Sequence, residues 1–162
     1  GAHCPVVLSA AATGGVPGDA TERVANAMRM VEQASRRGIP LALMFIDPLV
    51  LPAAVRPEAA RDFLGAVAEL RRKLGPEIHI TGGLSNVSYG LPARRALNEA
   101  FVALAIEAGA DSGILDPLVS NPARPATEPG SRTWQLAIDL LLGRDPFGRA
   151  YLKAHRAGEL AS

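Results

Sequence analysis

Two stretches of this chain place reactive side chains beside a break in the backbone. Phe45-Ile46-Asp47-Pro48 sets a carboxylate where an apolar run stops, and the proline keeps the chain from continuing as helix or ladder. A carboxylate so placed can accept two parallel N–H bonds from an aminopyrimidine edge, which is how a guanine- or pterin-type ring is recognised. The same spacing also suits a carboxylate that only steadies its own loop. In the second stretch, Ile80 to Ser88 reads ITGGLSNVS. Its glycine pair lets the backbone approach a ligand closely. Asn86 both donates and accepts, so it can follow a hydrogen bond through a change of protonation. A phosphate site and a tight turn that needs positive φ are the competing readings of the glycines.

Other candidates are weaker. Asp116 before Pro117 repeats the pattern of Asp47, with a structural loop role as the alternative. His3, His79 and His155 are scattered and lack partners at ligand spacing, so no metal site is expected. His79 is expected to pack within a strand and His155 to lie on a solvated helix. Ser85, Ser88 and Tyr89 come without a Gly-x-Ser-x-Gly elbow, which argues against serine hydrolysis. Cys4 is the single cysteine, unable to form an internal disulfide, and reads as a buried small residue.

Elements that end at these residues recur along the chain. Short apolar runs at Pro5–Ala10, Leu41–Ile46, Ile78–Thr81 and Ser112–Leu115 read as strands. They repeat at intervals of about 35 residues, the length of one strand-loop-helix-loop cycle. Between them, Asp19 or Thr21 caps a helix facing inward through Val24, Ala27, Met28, Val31 and Ala34, stopped at Gly38-Ile39-Pro40. A second helix begins near Pro57 and buries Phe63, Val67, Leu70 and Leu74 up to Gly75-Pro76. The third follows Pro92 through Leu97, Phe101, Leu104 and Ala108 to Gly109. After the polar loop Ser120–Ser131 come a helix around Trp134–Leu142 and an amphipathic stretch, Phe147–His155. This alternation predicts an α/β fold with parallel strands and right-handed crossovers. A doubly wound sheet and part of a (β/α)8 barrel both satisfy it. The missing Gly-x-Gly-x-x-Gly loop counts against the sheet. Polar loops at each strand end, Thr13-Gly14-Gly15, Asp47-Pro48, Gly82–Asn86 and Asp116-Pro117, favour the barrel.

Composition narrows the partners. The chain has 162 residues, 48% hydrophobic, 20% charged and only 4% aromatic, with a net charge of +1. These values fit one domain over 1–162 and exclude disorder, a disulfide scaffold and a base-stacking module. No basic run exceeds Arg36-Arg37, Arg71-Arg72-Lys73 or Arg94-Arg95, so nucleic acid is not an expected partner. With no signal segment and no apolar run long enough for a membrane, a soluble cytoplasmic protein is expected.

FIDPLVLP at Phe45–Pro52, GGLSNVSYGLPARRALNEAF at Gly82–Phe101 and GADSGILDP at Gly109–Pro117 resemble the methyltetrahydrofolate:corrinoid methyltransferases. The likeness extends to LLGRDPFGRAYLKAHRAG near the end. It implies a pterin-binding (β/α)8 TIM barrel, of which this chain holds four βα units, strands five to eight, as the C-terminal half. Two pterin ligands, an Asp and an Asn, would lie on the earlier strands. By the same resemblance, Asp47 binds the pyrimidine side of the pterin and Asn86 is the catalytic residue beside N5. Tyr89 and Arg94 join them as substrate-binding residues. The implied reaction moves a methyl group between N5 of methyltetrahydrofolate and a cobalamin-type cofactor on a separate corrinoid protein, and a homodimer is expected. Dihydropteroate synthase is the second enzyme reading; its Asp-Pro-Gly and Ser-Arg-Lys-type motifs are not found. A non-catalytic half barrel that self-associates is the third.

Overall fold

The computed structural model describes residues 4–11, 15–116 and 120–160. The chain divides into two compact units. The first comprises Gly1–Leu49, Asp62–Gly83 and Ala105–Ile114, and the second Val50–Arg61, Leu84–Leu104 and Leu115–Ser162.

A small parallel sheet forms the centre of the first unit. β1 (Val6–Ser9), β2 (Met44–Asp47) and β3 (His79–Ile80) lie in the order β1-β2-β3. Val6 pairs with Met44 and Ser9 with Asp47, while Phe45 and Ile46 oppose His79 and Ile80. The expected fold class holds at this level, a parallel α/β arrangement, but the strands are shorter than their apolar runs. Leu41–Leu43 is a 3-10 turn, because Leu43 N bonds back to Pro40 O instead of to a neighbouring strand. The fourth expected strand, Ser112–Leu115, is reduced to a single parallel bridge between Ile114 and Gly83. Ile114 N donates to Gly82 O at 2.8 Å, whereas the amides of Asp111 and Ser112 both converge on Ile80 O, so no regular ladder develops.

α1 (Ala20–Arg36) starts at Asp19, whose carboxylate accepts from Glu22 N at 2.8 Å; Thr21 is not the cap. Val24, Ala27, Val31 and Ala34 are buried as the period predicts, and Met28 is half-buried. The stripe also takes in Arg23 and Asn26. Asn26 Nδ2 donates to Ala10 O at 3.0 Å and so ties the helix to the chain leaving β1. α2 (Ala59–Leu74) buries Phe63, Val67 and Leu70, with Leu74 half-buried.

Arg71, on α2, gathers the backbone of the first unit. Its Nη1 donates to Gly75 O and Ile78 O, both at 2.8 Å, and its Nε and Nη2 to Gly109 O at 3.0 and 2.9 Å. Nη2 also lies 3.4 Å from Asp111 Oδ2, which itself meets His79 Nδ1 at 2.9 Å. Burial pushes the Asp111 carboxyl up, but hydrogen bonds from Ile80 N and His79 and the charges of His79 and Arg71 carry it below its ordinary value. His79 stacks on Phe45 with centroids 4.4 Å apart. Arg71→Lys is expected to lower stability by about 2 kcal/mol, since an ammonium cannot fork to three carbonyls from two separate loops. Urea unfolding measures the difference; unchanged midpoint and slope would show the fork to be dispensable.

The second unit contains the N-terminal part of α3 (Arg94–Ala108), then α4 (Arg132–Leu141) and α5 (Arg149–Arg156). Leu97 and Phe101 are buried as expected, whereas Leu104 and Ala108 are half-buried. Glu99, also buried, accepts from Ala126 N at 2.9 Å and Thr127 N at 2.8 Å, fastening the polar loop to α3. Ser131 caps α4 and the Asp145 carboxylate caps α5 through Ala150 N and Tyr151 N. His155 is exposed on α5, as expected. Cys4 is exposed, not buried: it precedes β1 and no element of the sheet covers it.

Candidate functional site

The four candidate residues fall into two local arrangements. Asp47 belongs to the first unit, and Asn86, Tyr89 and Arg94 belong to the second. His3, Thr13, Gly14 and Pro117 lie outside the described residues.

Asp47 is the last residue of β2, and its carbonyl accepts from Ala10 N at 2.8 Å. The half-buried carboxylate accepts from Leu49 N at 2.9 Å across Pro48, closing an Asx turn. Leu49 is thereby held at φ 69°, a left-handed conformation that a branched side chain seldom adopts. Burial raises the Asp47 pKa, and the Leu49 hydrogen bond opposes that rise. The loop-steadying reading of Asp47 is therefore realised in the structure. A carboxylate that burial disfavours in its charged form also gains from a partner that brings N–H donors. An aminopyrimidine edge is such a partner, so the residue fits a pterin chemically.

The double glycine turned out to do something the spacing did not show. Gly82 and Gly83 are not among the residues with positive φ; their backbone serves the bridge to Ile114. After them Leu84–Ser88 winds into a 3-10 turn with Leu84, Val87 and Ser88 buried and Asn86 exposed. Val87 O also accepts from Ala53 N at 2.9 Å, which links the turn to the loop that follows β2 in sequence.

Arg94 clasps that turn. Its Nε donates to Ser88 Oγ and its Nη2 to Ser85 O, each at 3.0 Å, and Ser88 Oγ donates to Ser85 O at 3.2 Å. The guanidinium also lies over the Tyr89 ring, 5.9 Å from its centroid. Tyr89, 66% exposed, bonds through its amide to Asn86 O at 3.1 Å. Asn86, Tyr89 and Arg94 thus form one cluster whose centre is the backbone around Asn86. Arg94, expected beside a substrate, spends these donors on the turn itself. Asp116 is exposed and its carbonyl accepts from Ser120 N at 2.9 Å.

Sequence reasoning missed the residue behind this clasp. Tyr151 of α5 is fully buried and donates its hydroxyl to Ala93 O at 3.0 Å. Nothing in the local pattern marks it, because an aromatic on the apolar face of an amphipathic helix reads simply as core. Among the described residues no cluster of three His, Cys, Asp or Glu is placed to hold a metal, and no helix is long and apolar enough to cross a membrane.

Comparison with known proteins bears on the same segments. The family model described as "Pterin binding enzyme" matches residues 2–116. Methylcorrinoid:tetrahydrofolate methyltransferase of Eubacterium limosum is 34% identical over 146 residues, 90% of this chain and 50% of that protein. Methionine synthases of Mycobacterium leprae and Mycobacterium tuberculosis are 31% and 30% identical over 130 and 132 residues. Those matches cover 76% and 77% of this chain but only 10% and 11% of the synthases. The chain therefore spans about half the length of the first relative and about a tenth of the other two. With Asp47, Asn86, Tyr89 and Arg94 all inside the matched residues, the chain belongs to the pterin-binding enzymes, as its resemblance to the methyltetrahydrofolate:corrinoid methyltransferases implied.

Proposed function

We propose that this chain is a pterin-binding methyltransferase domain over 1–162 that moves the N5-methyl group between methyltetrahydrofolate and a corrinoid protein. The observation that carries the proposal is the exposed Asn86 on a 3-10 turn clasped at both flanks by Arg94. The names of the relatives, which join a methylcorrinoid to tetrahydrofolate or denote methionine synthesis, support the same reaction class.

Asp47 accepts N–H bonds from the pyrimidine edge and Asn86 acts at N5. When the N5–CH3 bond breaks, its electron pair stays on nitrogen, and N5 must carry a proton for the amine to leave. Asn86 accepts from protonated N5 through Oδ1 and donates to the free lone pair through Nδ2. It therefore serves transfer in either direction without a shifted pKa. The corrinoid on its own protein is the second substrate. In one direction its Co(I) would supply the electron pair for the new Co–CH3 bond, and in the other the N5 lone pair would take the methyl while cobalt keeps that pair.

Arg94 acts by holding the turn, and Tyr89 lends an exposed ring beside it. The parallel ladder and the Ile114–Gly83 bridge are, in this reading, consecutive staves of the C-terminal half of a (β/α)8 barrel. Self-association into a homodimer and a cytoplasmic setting are proposed with it. Val7, 61% exposed, leaves an apolar side chain uncovered on one face of the sheet, and β1 lies at its edge; both favour association.

Titration with methyltetrahydrofolate, followed by transfer of its labelled methyl to cob(I)alamin, tests the proposal. Saturable binding and labelled methylcobalamin are expected; binding of neither folate nor pterin would end it.

A further inference from the structure

We infer that Tyr151 is a positioning residue for Asn86, acting through Ala93 and Arg94; the inference rests on the reading of Asn86 as the group at N5. Tyr151 lies beyond residues 2–116, the part matched by the pterin-binding model. Its phenol is fully buried, and burial pushes its pKa up, so the hydroxyl remains a neutral donor across the working range. That hydroxyl meets Ala93 O at 3.0 Å and approaches Pro92 O at 3.5 Å.

Ala93 sits at φ 47°, where a residue with a Cβ is disfavoured. Such a conformation persists only when its surroundings hold it. Tyr151 supplies one hold on its carbonyl, and Ala96 N supplies another at 3.2 Å as α3 begins. The next residue is Arg94, whose guanidinium bonds the groups on either side of Asn86, Ser85 O and Ser88 Oγ. If Ala93 relaxes, the base of the Arg94 side chain turns with it and the clasp loosens. At the other end, Tyr151 N is fixed by the Asp145 carboxylate at 3.0 Å, so the phenol is aimed from a capped helix start. A contact between α5 and the segment before α3 thereby sets the geometry of an exposed amide several residues away.

The test compares wild type, Tyr151→Phe, Ala93→Gly and the double variant. It reads kcat, the Kd for methyltetrahydrofolate, and hydrogen exchange at the amides of Tyr89 and Leu91. Those amides bond Asn86 O and Ser88 O at 3.1 and 3.0 Å and so report on the turn. Tyr151→Phe is expected to cut kcat about 5- to 10-fold with Kd changed less than about twofold, since a misplaced amide costs most in the transition state. Exchange at the two amides should rise by about tenfold. Glycine takes positive φ without help, so in the Ala93→Gly background the same change should cost less than about twofold. A kcat and exchange pattern like wild type in Tyr151→Phe, or an equal loss in both backgrounds, would overturn the inference. Should wild type fail to bind methyltetrahydrofolate, the functional reading fails instead, and exchange alone still decides whether Tyr151 governs the turn.

Discussion

Methyl transfer is expected to fall by about 10²- to 10³-fold in Asn86→Ala, a loss of roughly 3–4 kcal/mol of transition-state stabilisation. Asn86 is exposed on its turn, which is held through Ser85, Ser88 and Val87, so the substitution removes an amide without disturbing the clasp. The side chain matters most when the N5–methyl bond is partly broken and nitrogen is gaining its proton. Binding of ground-state methyltetrahydrofolate should therefore weaken much less than turnover does. Single-turnover transfer of labelled methyl to cob(I)alamin separates the two quantities. A variant that transfers methyl at the wild-type rate would remove Asn86 from the reaction.

Asp47→Asn separates binding from stability. Affinity for the pterin is expected to drop by about 100-fold, because an amide replaces one of two acceptors facing paired N–H donors with a donor. Stability should move the other way. The folded pKa of Asp47 is raised by burial, so the fold disfavours its ionised form relative to the unfolded chain. That cost is absent below the unfolded pKa of about 3.9. It grows as the pH rises through the folded value and is complete at neutral pH. Asparagine removes the charge and keeps Oδ1 to accept from Leu49 N. Its thermal midpoint at pH 7 should equal or exceed that of wild type, and the advantage should vanish in acid. Isothermal titration and thermal unfolding across pH check both halves. Undiminished affinity would leave Asp47 as a loop residue only.

Much of this arrangement was legible in the sequence where periodicity and punctuation agree. Phe63, Val67 and Leu70 repeat at helical spacing and are buried in α2, and Asp19 stands one residue before α1 and caps it. The Asp47-Pro48 pair marked the end of β2 because proline stops a ladder. Strand pairing was less legible. Ser112–Leu115 is apolar enough for a strand, but whether it ladders depends on amides that converge on Ile80 O, which no local pattern encodes. Arg71 stood out only as one of three consecutive basic residues, Arg71-Arg72-Lys73; its carbonyl partners include Gly109, 38 positions away. The clasp by Arg94 and its support from Tyr151 are similarly non-local, the latter spanning 58 positions. Positive φ at Leu49 and Ala93 was unreadable for a related reason: neither is glycine, and each is held there by its neighbours.

Glu99 has a consequence for how this molecule can change over generations. The groups it fastens, Ala126 N and Thr127 N, are main-chain amides that every amino acid but proline carries. The stretch at Ala126 and Thr127 is thus fastened by one residue on the helix rather than by its own side chains. Asn121, which accepts from Ala123 N, and Ser131, which caps α4, instead hold the ends of the loop by their own chemistry. Substitutions at Ala126 leave the fastening by Glu99 intact, and those at Thr127 are limited by the little room around a buried side chain. Replacing the single glutamate, or placing proline at 126 or 127, would release the middle of the loop while its ends stay held.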